Sequence, residues 1–315
     1  MKIENIADVQ LALHIARQGS ITAAAQALGL SPQTASAALK RLEAQLGARL
    51  FERSTRNVRP TPAGQGWLEQ MQRALELMED AQAQLDSEHA ALRGPIRLTA
   101  PSDLARQVLL PLLDDFLAQH PGVHLSLAVG DQPRNMLRDA VDVAIRYGEL
   151  ADSRLVARHL ADAWPLACAA PNYLARHGTP QHPLDLLQHN CLTFQRNGRP
   201  HATWRFERNG QWHEVRVQGN RSTDDASLAR QWAVAGHGIA LKSHIDLQAD
   251  LQAGRLVPLL PGWRTAPYPL HAILPSKHFI PRRVRALVDY LAQALHGLGA
   301  TSPGNAATTA IILPA

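Results

Sequence analysis

Ser31, Gln33, Thr34 and Ser36 put four short polar side chains within six residues. Groups of this size and chemistry hydrogen-bond base edges or phosphate oxygens. Lys40 follows one helical turn later, and Arg53, Arg56 and Arg59 stand around the turn-forming Ser54, Thr55 and Asn57. With Leu50 and Phe51 as apolar anchors, the run LFERSTRNVRPT reads as a two-stranded wing carrying arginines to phosphates or a minor groove. From Met1 to Gly66 eight basic residues face four acidic ones, so most of the chain's net charge of +5 lies in its first fifth. A basic segment at one end is the electrostatic footprint of a nucleic-acid binder, whereas a basic loop standing alone is more simply a solvated surface.

Such side chains need a helix and a hairpin to aim them. Val9, Ala12, Leu13 and Ala16 form one apolar helical stripe that stops at Gly19. Ser20 and Thr22 offer cap oxygens for a second, alanine-rich helix from Thr22 to about Leu28, which Gly29 ends. Leu30 supplies a buried anchor, and Ser31-Pro32 is a strong start signal for a third helix, with Ala35, Leu39, Leu42 and Leu46 along its inner face. Two short helices joined by a glycine-containing turn have helix-turn-helix spacing, in which the N-terminal residues of the second helix lead into the major groove. An alanine-rich helix pair alone is as readily a bundle fragment; the basic wing behind it decides for DNA.

Beyond Pro62 the spacing of Trp67, Met71, Ala74, Met78, Ala81, Leu85 and Leu92 is that of a heptad seam. It predicts a helix pairing with a second subunit; the alternative is an amphipathic helix packed on its own domain. Arg93-Gly94-Pro95 then predicts a break and a hinge. Strands are expected at Ile96–Ala100, Val123–Val129, Val141–Arg146, Ile239–Lys242 and Leu270–Leu274. Helices are expected at Leu104–His120, interrupted near Pro111, at Asp224–Ala235 and at Pro281–His296, with a hairpin at Asn209-Gly210. This alternation predicts a mostly parallel sheet with helical crossovers. The tail from Gly297 reads as disordered.

In open α/β sheets ligands bind beyond the carboxyl ends of the strands. Three stretches fit: TAPSD, with Ser102 and Asp103; AIRYG, with Arg146 at a strand end; and NRSTDDAS, with Thr223 and Asp224 at a helix start. Hydroxyls, amides and a guanidinium suit an organic acid. Taken singly, each is more simply a helix cap or a surface ion pair.

At 315 residues, 45% hydrophobic and 19% charged, the composition is that of a soluble globular chain of two or three domains. The start MKIENIADVQ lacks the features of a secretory signal, and no apolar run reaches the length of a membrane span, so the expected location is the cytoplasm. No GxSxG, HExxH, P-loop or complete GxGxxG occurs, and the fifteen histidines show no ligand spacing, so neither an enzyme nor a metal site is expected. Cys168 and Cys191 read as buried apolar thiols, with a redox pair as the alternative.

The run AAAQALGLSPQTASAALKRLEAQLGARLFERSTRNVRPTPAG resembles the winged helix-turn-helix of the LysR-type transcriptional regulators. Its matches include Ala24, Ala25, Leu28, Ser31, Ser36, Leu42, Glu43, Leu46, Gly47, Leu50, Phe51, Arg53, Arg56, Thr61 and Gly64. Ala37 departs from the family's usual basic residue, which shifts base reading to Gln33, Thr34, Ser36 and Lys40. The segments RLTAPSDLARQVLLPLLDDFLAQHPGVHLSL, DVAIRYGEL, PNYLARHGTP and AGHGIAL are similar to blocks of the family's effector domain.

The resemblance implies an α/β chain with an N-terminal winged helix-turn-helix (1–61), a linker coiled-coil helix for dimerisation (62–93) and a C-terminal two-lobed periplasmic-binding-protein-like effector domain (94–296). Lobe I would take about 94–163 and 269–296, and lobe II about 164–268. DNA would be held by Ser31, Gln33, Thr34, Ser36, Lys40, Arg53 and Arg56. A small organic effector would lie between the lobes at Ser102, Arg146 and Thr223, with Asp103, Asp131, Phe194 and Asp224 as neighbours. The implied partners are double-stranded DNA at a dyad-symmetric site and further copies of the chain, as dimer or tetramer, with no resident cofactor. A solute-binding protein of a transporter matches the C-terminal half alone and leaves the basic module unexplained.

Overall fold

The computed structural model describes residues 3–53, 58–86, 91–132, 136, 141–148, 156–196, 199–275 and 280–296, with backbone alone at 53, 79–86, 196 and 199. The chain divides into two compact units, Met1–Ala90 and Ala91–Ala315.

In the first unit α1 (Ile6–Gln18), α2 (Ile21–Ala27) and α3 (Pro32–Leu46) start and stop where cap chemistry dictates. Asn5, Ser20 and Ser31 each accept a backbone N–H with their side chains, and Gly19 and Gly47 close α1 and α3 in the left-handed region. Ala12, Ala24, Ala25 and Ala35 are fully buried and let the three helices approach closely around Leu11, Ile15, Leu39 and Leu42. The wing strands β1 (Phe51–Arg53) and β2 (Val58–Pro60) pair antiparallel, Glu52 opposite Arg59.

Next comes α4 (Pro62–Asp86). Its heptad seam divides: Trp67 and Met71 pack against the helix-turn-helix core, while Met78 is 51% exposed. Packing on its own domain therefore accounts for the first turns, and the free seam begins further along. The seam positions Ala81 and Leu85 are described by backbone alone.

The second unit holds a five-stranded sheet, a six-stranded sheet and a two-stranded hairpin. Its elements in chain order begin with β3 (Arg93–Ala100), α5 (Ser102–Leu104), a π-helical turn (Ala105–Leu109), α6 (Leu110–Gln119), β4 (Gly122–Val129), β5 (Val143–Tyr147) and β6 (Val156–Ala161). There follow β7 (Pro165–Ala169), α7 (Pro171–His177), a 3₁₀ turn (Pro183–Gln188), β8 (Cys191–Arg196), β9 (Arg199–Pro200), β10 (Thr203–Arg208), β11 (Gln211–Arg216) and β12 (Ser222–Thr223). The chain continues with α8 (Ala226–Val234), β13 (Ile239–Ser243), α9 (His244–Gln252), β14 (Val257–Pro258), β15 (Leu270–Leu274) and α10 (Arg282–Leu295). One sheet runs β4-β3-β5-β15-β6 and the other β12-β8-β13-β7-β14, with β9 against β8.

Four strands of each sheet point the same way, β3, β4, β5 and β6 in one and β8, β12, β13 and β14 in the other; β15 runs against β5 and β6, and β7 against β13 and β14, so half of these neighbour pairings are antiparallel. The expected mostly parallel arrangement is thus half correct. The chain leaves one sheet through β6 into β7 and returns through β14 into β15, and the strands it enters by those passages, β7 and β15, run against their neighbours. Arg93-Gly94-Pro95 is not a break: it opens β3, paired with Gly122, Val123 and His124 of β4. The interruption near Pro111 is the π turn just ahead of it, in a helix that otherwise runs on. At the β10–β11 hairpin Asn209 and Gly210 both take positive φ, as a two-residue turn of primed type requires. The expected disordered tail lies outside the described residues.

Candidate nucleic-acid interface and effector cleft

On α3 the apolar period hides Ala35, Ala38, Leu39 and Leu42 and leaves Ser31, Gln33, Thr34, Ala37 and Lys40 exposed, with Ser36 half-buried between them. One polar face therefore gathers all the helix positions read from sequence. Ser31 is committed in part to the helix itself, since its Oγ accepts the Thr34 N–H at 3.1 Å and lies 2.8 Å from Thr34 Oγ1. Arg41, on the same helix, is turned to Asp8 of α1, donating from Nε and Nη2 at 2.8 and 2.7 Å. That pair fixes α3 against α1. Arg59 is exposed on β2. Arg53 lies on β1 with its side chain outside the description, and Arg56 is outside the described residues.

In the second unit β3 delivers Ser102 to the start of its helix, and the chain after β4 brings Asp131 beside it. Asp131 accepts the Ser102 N–H at 3.1 Å, the Ser102 hydroxyl at 2.6 Å and, from the other sheet's α8, the Ala226 N–H at 2.9 Å. Asp225, the N-cap of α8, reaches the same Ser102 Oγ at 2.9 Å, and Ser227 N–H donates to it at 3.1 Å. One hydroxyl proton is thus shared between two carboxylates. Burial pushes the Asp225 carboxyl up, but the Ser102 hydroxyl and the Leu228 and Ser227 N–H groups outweigh it and hold it below the ordinary value.

The other positions read from sequence divide. Thr223 is buried and its Oγ1 accepts the Asp225 N–H at 3.0 Å; Phe194 pairs with it across β8 and β12. Asp224 is exposed, and the cap is its neighbour Asp225, because α8 begins two residues later than the apolar pattern suggested. Arg146 donates to Thr99 Oγ1 at 3.0 Å and to Ile145 O at 2.8 Å.

Asp103 turns the other way, fully buried, with Arg230 Nε at 2.8 Å and Lys242 Nζ at 2.7 Å. Arg230 also pairs with Asp250, which takes Arg255 Nε at 2.6 Å. This buried ion network joins α5 to α8, α9 and β13. Arg230, Lys242 and Asp250 carried no sequence signal: no motif joins them, and only the fold shows that they meet.

Cys168 and Cys191 lie on opposite faces of one sheet. Cys168 faces Ala240, which faces Leu192, while Cys191 faces Ile239. Burial pushes both thiols up to about 12. The redox-pair alternative fails on this geometry. Among the described residues no group of three His, Cys, Asp or Glu side chains could hold a metal ion, and no helix is long and apolar enough to cross a membrane.

A basic-winged helix-turn-helix followed by two mixed sheets with a polar seam between them defines a DNA-binding protein with a ligand-sensing domain. Residues 6–65 match the bacterial regulatory helix-turn-helix protein family of LysR type, and residues 89–296 match the LysR substrate binding domain. A transcriptional repressor of Pseudomonas aeruginosa is 34% identical over 274 residues, covering 87% of this chain and 86% of the relative. The solved structure of CrgA, a LysR-type regulator from Neisseria meningitidis, superposes with a TM-score of 0.61 at 30% identity, covering 92% of this chain and 99% of that one. The virulence activator AphB of Vibrio cholerae does so at 0.57 and 25% identity, over 92% and 99%. The chain belongs to the LysR-type transcriptional regulators, DNA-binding proteins with an effector-binding domain.

Proposed function

We propose that this chain is a cytoplasmic, one-component regulator that reads a dyad-symmetric DNA site as a dimer or higher oligomer and answers to a small organic effector bound between the two sheets of residues 91–296. It works by binding, without catalysis or a resident cofactor. The observation that carries the DNA-reading part is the face of α3, where Gln33, Thr34, Ala37 and Lys40 are exposed on a helix whose opposite face is buried. Base edges would be read from Gln33, Thr34 and Ser36, and phosphates held by Lys40, Arg53 and Arg56, with Ser31 serving as cap and contact.

The effector positions are Ser102, Asp131, Thr223, Phe194, Arg146, Asp224 and Asp103, the last as part of the supporting ion network. The donors suited to an organic acid, the Ser102 and Ala226 N–H groups, already hold Asp131. An acid would have to compete with that carboxylate. Dimerisation would use the exposed part of the α4 seam, and two linked heads gain affinity through effective concentration.

The test is enrichment of genomic fragments on the purified protein, with Gln33→Ala alongside. A dyad-symmetric site whose base preference changes in the variant supports the reading. Equal retention of all fragments by both proteins refutes it.

A further inference from the structure

Glu43 is badly placed for its own helix. It lies in the last turn of α3, where the helix dipole disfavours an anion, and that turn holds no basic residue to offset it. Its carboxylate is spent elsewhere: Oε1 accepts the Leu50 N–H at 2.8 Å and the Phe51 N–H at 3.2 Å. Those two residues, each 2% exposed, are the anchors at which the wing begins. From the other side the start of α4 grips the same segment. Thr61 N–H donates to Leu50 O at 2.9 Å, and Thr61 Oγ1 donates to Arg49 O at 2.9 Å while accepting the Gly64 N–H at 2.9 Å. A side chain at Gly64 would bring a Cβ to 2.1 Å from Leu50 O, so the approach is as close as backbone allows.

We infer that Glu43 is a positioning residue for DNA reading: its carboxylate holds residues 50 and 51 so that the wing, and through Leu50 the start of α4, keep a fixed setting relative to the face of α3. Three elements meet at one short segment, and Glu43 supplies the only link to it from the reading helix among the hydrogen bonds of the described residues. A carboxylate receiving two backbone donors is strong and directional, whereas an apolar contact would let the wing slide. The inference rests on the wing touching phosphates, as proposed above.

The experiment uses the full chain and a mixed-sequence DNA duplex, with affinity measured against salt concentration. Each phosphate contact contributes about 0.9 to the slope of log affinity against log salt. Glu43→Ala should lower that slope by about one to two contacts' worth. Glu43→Gln, which keeps an oxygen able to accept both N–H groups, should recover most of it. Val9→Ala, a core change in α1, should lower the melting temperature and leave the slope alone. A slope unchanged in Glu43→Ala, or lost equally in Val9→Ala, overturns the inference. Arg56→Ala separates the two levels: if it too leaves the slope unchanged, the wing reading has failed, and if it lowers the slope while Glu43→Ala does not, the positioning role alone has failed.

Discussion

Cys168 and Cys191 show how strongly surroundings govern a side chain's chemistry. A thiol reacts as its thiolate, and burial, which outweighs the pull of Lys242 on Cys168, keeps these two protonated far above neutral pH. Their opposite orientation across one sheet removes any route to a mutual disulfide without unfolding it. Native protein should therefore leave both thiols untouched by a thiol-reactive dye until denaturant is added, and peroxide should not alter DNA binding. Rapid labelling of either cysteine in the folded state would contradict the burial. Asp8 and Arg41 make a related point: the carboxylate is buried in the first turn of α1, where the helix dipole favours it and the bidentate guanidinium offsets the loss of water.

Among elements, α4 is the one whose faces do different work. Trp67 and Met71 belong to the helix-turn-helix core, and Met78 projects from it. Met71→Ala should cost about 1–2 kcal/mol and lower the melting temperature of the N-terminal unit. Met78→Lys should leave that temperature nearly unchanged and shift sedimentation toward smaller species. The opposite pattern would contradict the packing of Met71 and the exposure of Met78. Most helices and the β10–β11 hairpin were legible in sequence because each carries its own local signal: a cap such as Ser31-Pro32, a stop such as Gly47, a turn such as Asn209-Gly210; the short α7 and α9 were not. The antiparallel setting of β15 against β5 and of β7 against β13, and the strand that begins at Arg93, were not, since each depends on a distant partner strand. For the same reason Ser102 could be read as a site residue while Asp225, Arg230 and Lys242 could not. The first follows a strand and starts a helix; the others acquire meaning only from what faces them across the seam.

For the effector-binding domain as a whole, Asp246 sets a pH dependence. It is buried on α9 and accepts the Tyr147 hydroxyl of β5 at 2.7 Å. Around it stand Lys242 and Ser243 of β13, Asp103 of α5 and Asp131 beyond β4. Burial pushes its carboxyl up to about 7; Lys242 works against this and Asp103 adds to it. The folded domain then holds a proton that the unfolded chain, with an ordinary aspartate near 3.9, has released. Stability from this group is full below about pH 4 and is lost as pH rises through about 7. In the wild type, thermal unfolding should move to lower temperature across that window, and the shift should be smaller in Asp246→Asn. Identical profiles for the two proteins would assign the proton elsewhere.

The ion network that ties Asp103 to Arg230 and Lys242 bears on how such regulators can be recombined. A lobe exchanged between two relatives would carry its fold and its half of the ligand pocket, but also one side of a buried charge balance. A hybrid that kept this Asp103 and received a lobe without a matching arginine and lysine would strand an anion in its interior. Sensor specificities in this architecture are accordingly easier to graft as whole effector domains than as halves.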